Sequence, residues 1–97
     1  MSAAKPKVRS IRWLPAAENS LHSIVDFIAE DKPEAAAVFA GGVRSAVARL
    51  TTLPNRARAG RVATTREFVV HPNYIVVYRV TAKTVDILRI RHAARAQ

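Results

Sequence analysis

The chain has 97 residues, of which 49% are hydrophobic and 24% charged, and it has no cysteine. This composition is globular rather than disordered, the length suits one domain, and the missing thiols exclude disulfides and thiolate metal centres. Sixteen Lys and Arg oppose seven Asp and Glu, a net charge of +9, and twelve of the sixteen are Arg. The surplus is uneven: residues 55–97 hold nine basic and two acidic groups, against seven and five in residues 1–54. Such a field attracts phosphates or an acidic protein. Guanidinium forks match phosphate and carboxylate geometry, whereas Lys is the commoner choice for plain solvation. The longest apolar runs fall far short of the roughly 18 residues of a membrane span. The opening MSAAKPKVRS lacks the apolar stretch of a secretory signal. A cytoplasmic protein without membrane contact is therefore expected.

Residues 1–7 are expected to form a flexible N-terminal tail and 8–97 a single domain. VRSIRW at 8–13 is rich in β-branched and aromatic residues and reads as a first strand. Pro15 suits the first turn of a helix, and Ala17, Leu21, Ile24, Val25 and Ile28 then recur at helical spacing. Asp31-Lys32-Pro33-Glu34 breaks that helix and starts another, which buries Ala36, Phe39, Val43, Ala46, Val47 and Leu50. Gly41-Gly42 inside it implies close helix–helix contact or a bend. Leu53-Pro54 closes the helix, and the short link between the two helices predicts an antiparallel hairpin.

Residues 55–65 form a basic loop without periodicity. Three strands follow at 66–71, 74–80 and 85–91, joined by connections of two to four residues, which predicts an antiparallel meander. The order is β-α-α-β-β-β. The expected fold is α+β: an antiparallel sheet with the two-helix hairpin packed on one face, leaving the other face free or only partly covered.

The segments GRVATTREFVVHPNYIVVYRV and VDILRIRHAAR carry three phrases, Arg66-Glu67, the Tyr-Ile-Val-Val-Tyr-Arg strand at 74–79 and the ending at 87–95. In this order and at this spacing the chain resembles the RelE/ParE superfamily of toxins from bacterial type II toxin–antitoxin systems. The likeness runs from about Val8 to Arg95. It implies a small toxin neutralised by a cognate antitoxin, acidic in its toxin-binding half, that wraps the toxin as a helix and a strand, together with a complex that represses its own operon. It also implies one of two targets. ParE-like members poison DNA gyrase without a nuclease site. RelE-like members cleave messenger RNA on the ribosome. A non-enzymatic nucleic-acid-binding module is the third reading.

Cleavage of RNA by its own 2′-hydroxyl needs a base, an acid and cations around the phosphate. Arg66, Arg79, Arg89 and Arg91 all fall on predicted strands. Strict alternation puts Ile87, Arg89 and Arg91 on the open side of the last strand, and Leu88, Ile90 and His92 toward the helices. These arginines either hold an anionic partner or are solvated groups that discourage edge pairing. With Arg58, Arg61 and Arg95 they form the candidate target- or antitoxin-binding set. If the protein is an RNase, His92, Arg66 and Arg79 are the catalytic candidates. His92 has a ring suited to proton transfer, but its face also fits a residue that caps the core. Glu67 reads either as a base or as one half of a cross-strand Arg–Glu pair. Tyr74 and Tyr78 share a face and read as a stacking platform or as core. Trp13 and Phe39 read as core, and His22 and His71 as surface. The lysine-rich catalytic set of RelE-like nucleases is not visible, since only Lys83 occurs after residue 32, and no tyrosine follows His92. That departure and the closing His-Ala-Ala-Arg favour the ParE-like reading. Dispersed histidines without cysteine give no metal site, no glycine-rich loop precedes a helix, and no cofactor is expected.

Overall fold

The two proline positions set the helical half of the molecule. The computed structural model describes residues 8–55 and 57–95. Helix α1 (Pro15–Asp31) begins at its proline after the extended Leu14, whose carbonyl accepts the Ala17 and Glu18 amides at 2.9 and 3.1 Å. Helix α2 (Pro33–Ala48) begins the same way. Pro33 disfavours helical backbone at the residue before it, and Lys32 sits at φ −140°, ψ 91°. This one extended residue ends α1 with its N–H on the Ile28 carbonyl (2.8 Å) and starts α2 with its carbonyl on the Ala36 N–H (3.1 Å). A single 3-10 turn, Arg49–Thr51, completes the helical half. Around Gly41 and Gly42 a Cβ would meet nothing within 4 Å, so the pair does not mark the close helix–helix contact expected of it.

The strands are β1 (Ser10–Trp13), β2 (Arg58–Ala59), β3 (Thr65–His71), β4 (Tyr74–Val80) and β5 (Thr84–His92), in sheet order β1-β5-β4-β3-β2. β3, β4 and β5 form the expected antiparallel meander. β1 is the correction: it pairs with β5 in parallel, from Ser10↔Thr84 to Trp13↔Ile87, so the sheet is mixed. Parallel neighbours need a long crossover, and the hairpin with the rest of the meander supplies it. β2 is a two-residue addition from within the basic loop, with Arg58 opposite Glu67.

The hairpin covers one face only. Leu21, Phe39, Val43, Val47 and Leu50 from the helical half meet Val76, Tyr78, Val85, Ile87 and Ile90 from the sheet, with Ile11, Trp13, Phe68 and Tyr74 packed around them. Val77 pairs with Arg89 but Tyr78 pairs with Ile87, so Leu88 is the extra residue of a β-bulge. The bulge corrects the alternation read through β5. Ile87 is fully buried under the helices together with Ile90, and Leu88 is not part of that core. Arg89 and Arg91 keep the helix-free face because both lie beyond the bulge. Residues 1–7 lie outside the described residues.

Candidate functional site: an arginine-bearing sheet face

The helix-free face is built from two buried carboxylates and the arginines around them. Asp86 stands on β5 beside Arg12 of β1 and Arg79 of β4. It accepts Arg12 Nε at 3.1 Å and Nη2 at 2.9 Å, and the Thr84 hydroxyl at 2.8 Å. The Arg12 hydrogen bonds hold its carboxyl below the usual carboxylate range, outweighing burial. Glu67, on β3, accepts Arg91 Nη2 at 3.0 Å and Arg58 Nη2 at 3.3 Å on one oxygen, and the Arg61 backbone N–H at 3.4 Å on the other. Burial pushes its pKa up, but the Arg61 amide and the Arg91 and Arg58 guanidiniums together bring it below the ordinary value. The Arg91 side chain is itself only 10% exposed. The floor between these groups is apolar, because Ile75 and Val77 are each 4% exposed.

The remaining arginines sort by what holds them. Arg79 donates Nε to the Thr64 hydroxyl at 3.1 Å. Thr64 has φ 69°, the one non-glycine residue in the left-handed region among the described residues. Arg89 is exposed, stands opposite Val77 at mid-face, and has no ion-pair or hydrogen-bond partner among the described residues. Arg61 lies in the exposed loop before β3. Arg66 is on the other side: it pairs with Tyr78, faces the helices, and donates Nη1 to the carbonyls of Ala57 (2.8 Å) and Asn55 (3.3 Å). Arg95 lies in the 3-10 turn Ala93–Arg95, and its side chain is outside the described residues.

His92 lies at the far end of the sheet on the helix-facing side. Its ring meets Tyr74 edge-on at 5.2 Å, and Tyr74 meets Phe39 at 5.2 Å and His71 at 5.7 Å. Each histidine Nδ1 accepts a backbone N–H two residues on, His71 from Asn73 and His92 from Ala94, both at 3.1 Å. In the neutral rings the proton is then on Nε2. Tyr74 and His92 also border an open groove of about 700 Å³ against Ser20, Ser23, Ile24 and Phe27 of α1. The three catalytic candidates therefore do not converge. Arg66 faces the helices, Arg79 faces away from them, and His92 lies roughly 17 Å of strand from Arg79. Tyr78 is fully buried with its hydroxyl on the Pro54 carbonyl at 2.7 Å, and its burial pushes its pKa up.

Sequence reasoning passed over Arg12 and Asp86. Strict alternation sets Asp86 on the helix side with Leu88 and Ile90; the bulge at Leu88 turns it outward, and the parallel pairing of β1 with β5 makes Arg12 its neighbour. It also passed over Thr64, whose backbone conformation has no signature in its residue type. Among the described residues no group of three His, Cys, Asp or Glu could hold a metal ion. No described helix is long and apolar enough to cross a membrane.

A helical hairpin on one face of a small mixed sheet, with arginines across the other, is the arrangement that the resemblance to the RelE/ParE superfamily implies. A family model described as the ParE toxin of the type II toxin–antitoxin system parDE matches residues 11–97. The chain belongs to that family. It is 37% identical over 86 residues to the putative toxin Y4kP of Sinorhizobium fredii, covering 88% of each chain. It is 41% identical over 83 residues to toxin RelE2 of Caulobacter vibrioides, covering 86% of this chain and 93% of that one. Among solved structures, a chain of the chromosomal ParDE system from P. aeruginosa superposes with a TM-score of 0.79 at 23% identity, over 89% of this chain and 97% of that one. A chain of the RelBE2 toxin–antitoxin complex from Mycobacterium tuberculosis gives 0.61 at 26% identity, over 96% and 98%.

Proposed function

We propose that this toxin acts in the cytoplasm in the ParE manner, on DNA gyrase with its DNA, through the arginine face, and that an acidic antitoxin neutralises it by covering that face. The observation that carries this reading is the state of the two carboxylates there. Glu67 and Asp86 each accept three donors, arginine among them, and are held ionised, so they act as struts for cations rather than as bases. The separation of Arg66, Arg79 and His92 supports the same conclusion, because a phosphate in flight needs its acid, base and cations within hydrogen-bond reach. Arg89, exposed and unpaired among the described residues, is the first contact for either partner.

A second reading keeps the RelE-like messenger RNA endoribonuclease. The observation in its favour is His92 beside Tyr74 on an open groove, a ring able to move a proton next to one able to stack a base. Two purified assays run side by side decide between them. The ParE-like reading expects gyrase to accumulate cleaved, protein-linked DNA, translation to continue, and Arg89→Glu to weaken the gyrase effect at least about tenfold through lost charge pairing. Arrested translation with cut messenger RNA, abolished by His92→Ala, would overturn it. Growth arrest with both assays silent would remove both targets.

A further inference from the structure

A second cationic site lies at the opposite end of the sheet from the histidines, where β1 begins and β4 ends. A cavity of about 460 Å³ opens there among Arg9, Asn55, Thr64, Arg66, Thr81 and Ala82. No carboxylate lines it among the described residues. Both guanidiniums are partly buried and fixed on main-chain oxygens: Arg9 donates Nε to the Thr81 carbonyl at 2.8 Å, and Arg66 donates Nη1 to Ala57 and Asn55. Neither has a carboxylate partner among the described residues, unlike Arg12, Arg44, Arg58 and Arg91. Each therefore spends one edge on the backbone and keeps other N–H groups for a ligand. Thr64, held in the left-handed region at the rim, and Asn55 add a hydroxyl and an amide.

We infer that this cavity binds the phosphate of a nucleotide. Two immobilised forks facing one acid-free space exceed what a carboxylate can use. A phosphate monoester carries close to two charges and three acceptor oxygens, enough for both forks and a polar side chain. The volume lies in the range of small-ligand pockets and exceeds a bare phosphate. A guanidinium plane such as that of Arg9 also offers a stacking surface for a base. The site is separate from Arg89 and the Glu67 cluster, and it stands whether gyrase or the ribosome is the target.

The phosphate has two sources, the 5′ end of a strand or a free mononucleotide. Binding of the full chain to a 5′-phosphorylated trinucleotide, the same trinucleotide with a 5′-hydroxyl, and adenosine monophosphate separates them, read by calorimetry. The 5′-phosphate should tighten binding at least about tenfold, the worth of one strong charge-assisted contact. Ala82→Glu places a carboxylate in the lining from an exposed turn without touching the Arg9 or Arg66 hydrogen bonds, and should remove that tenfold gain. Arg9→Gln should do the same, while Arg89→Gln should keep it. A trinucleotide that outbinds the mononucleotide supports a strand end as the source, and the reverse supports a free nucleotide. Equal binding of the two trinucleotides with no tighter binding of adenosine monophosphate, or a gain lost in Arg89→Gln and kept in Ala82→Glu, overturns the inference.

Discussion

Glu67 decides more at the residue scale than any arginine it holds. It fixes Arg91 and Arg58 across three strands, and Arg91 is nearly as buried as the carboxylate. Removing one partner of a buried pair leaves the other charge uncompensated, so Glu67→Gln should cost about 3 kcal/mol at neutral pH. Arg89→Ala, which severs no described contact, should stay within about 0.5 kcal/mol. Urea denaturation of the two variants tests the contrast, and equal losses would show that Arg89 is structural after all. The same carboxylates set the acid limit. Glu67 and Asp86 both have folded pKa values below their ordinary ones. Their stabilisation is therefore complete above the ordinary carboxylate range and is lost as pH falls through the folded values, where the unfolded chain binds more protons. The melting temperature should be level between about pH 5 and 7 and fall below about pH 4. Glu67→Gln should make that fall shallower. An unchanged acid limb in the variant would mean that other groups govern it.

At the scale of elements, periodicity carried the helices and the meander because each spans enough residues to show its repeat. β2 has two residues and no repeat to show. The direction of β1 rests on which meander strand it joins, a choice made by packing rather than by local sequence. The bulge at Leu88 leaves a mark that local pattern alone does not resolve. In Val-Asp-Ile-Leu-Arg-Ile-Arg strict alternation sets Asp86 with Leu88 and Ile90 and sets Ile87 with the arginines, and only the β4 register shows that the mismatch is one extra residue. The arginine side of β5 could still be read, because Arg89 and Arg91 lie on the same side of the bulge. The glycine pair in α2 shows the opposite limit. Its cost to the helix is legible, but its purpose is not, since the space around both positions is open. Gly41→Ala and Gly42→Ala should therefore each stabilise the protein by up to about 1 kcal/mol, as helix interiors favour alanine. Chemical denaturation reads this directly, and a loss of stability in either variant would reveal a strained or contacted backbone there. Gly60 is different in kind, because a Cβ at that position would run into the Thr65 side chain where the chain enters β3. Gly60→Ala should destabilise the β2–β3 turn.

Over the whole molecule, charge is divided by layer. The two helices carry five carboxylates (Glu18, Asp26, Glu30, Asp31, Glu34) and one arginine, Arg44. The five strands carry six arginines and two carboxylates. Both strand carboxylates are consumed in ion pairs, so the field outside the sheet is that of the surplus guanidiniums. A body charged this way turns its sheet toward any polyanion before contact, and the acidic hairpin keeps the opposite side from competing. Salt dependence measures which side is used. Each phosphate neutralised in the complex contributes about one to the slope of log affinity against log salt. For a double-stranded DNA fragment, Arg89→Gln should lower that slope by about one, since Arg89 is the exposed cation at mid-face with no partner to give up. Glu30→Gln, on the exposed side of α1, changes the net charge by the same amount in the opposite sense and should leave the slope unaltered. Fluorescence anisotropy over a salt series gives both numbers. If the two variants shifted the slope equally, binding would follow total charge, and the division between helices and sheet would have no part in recognition.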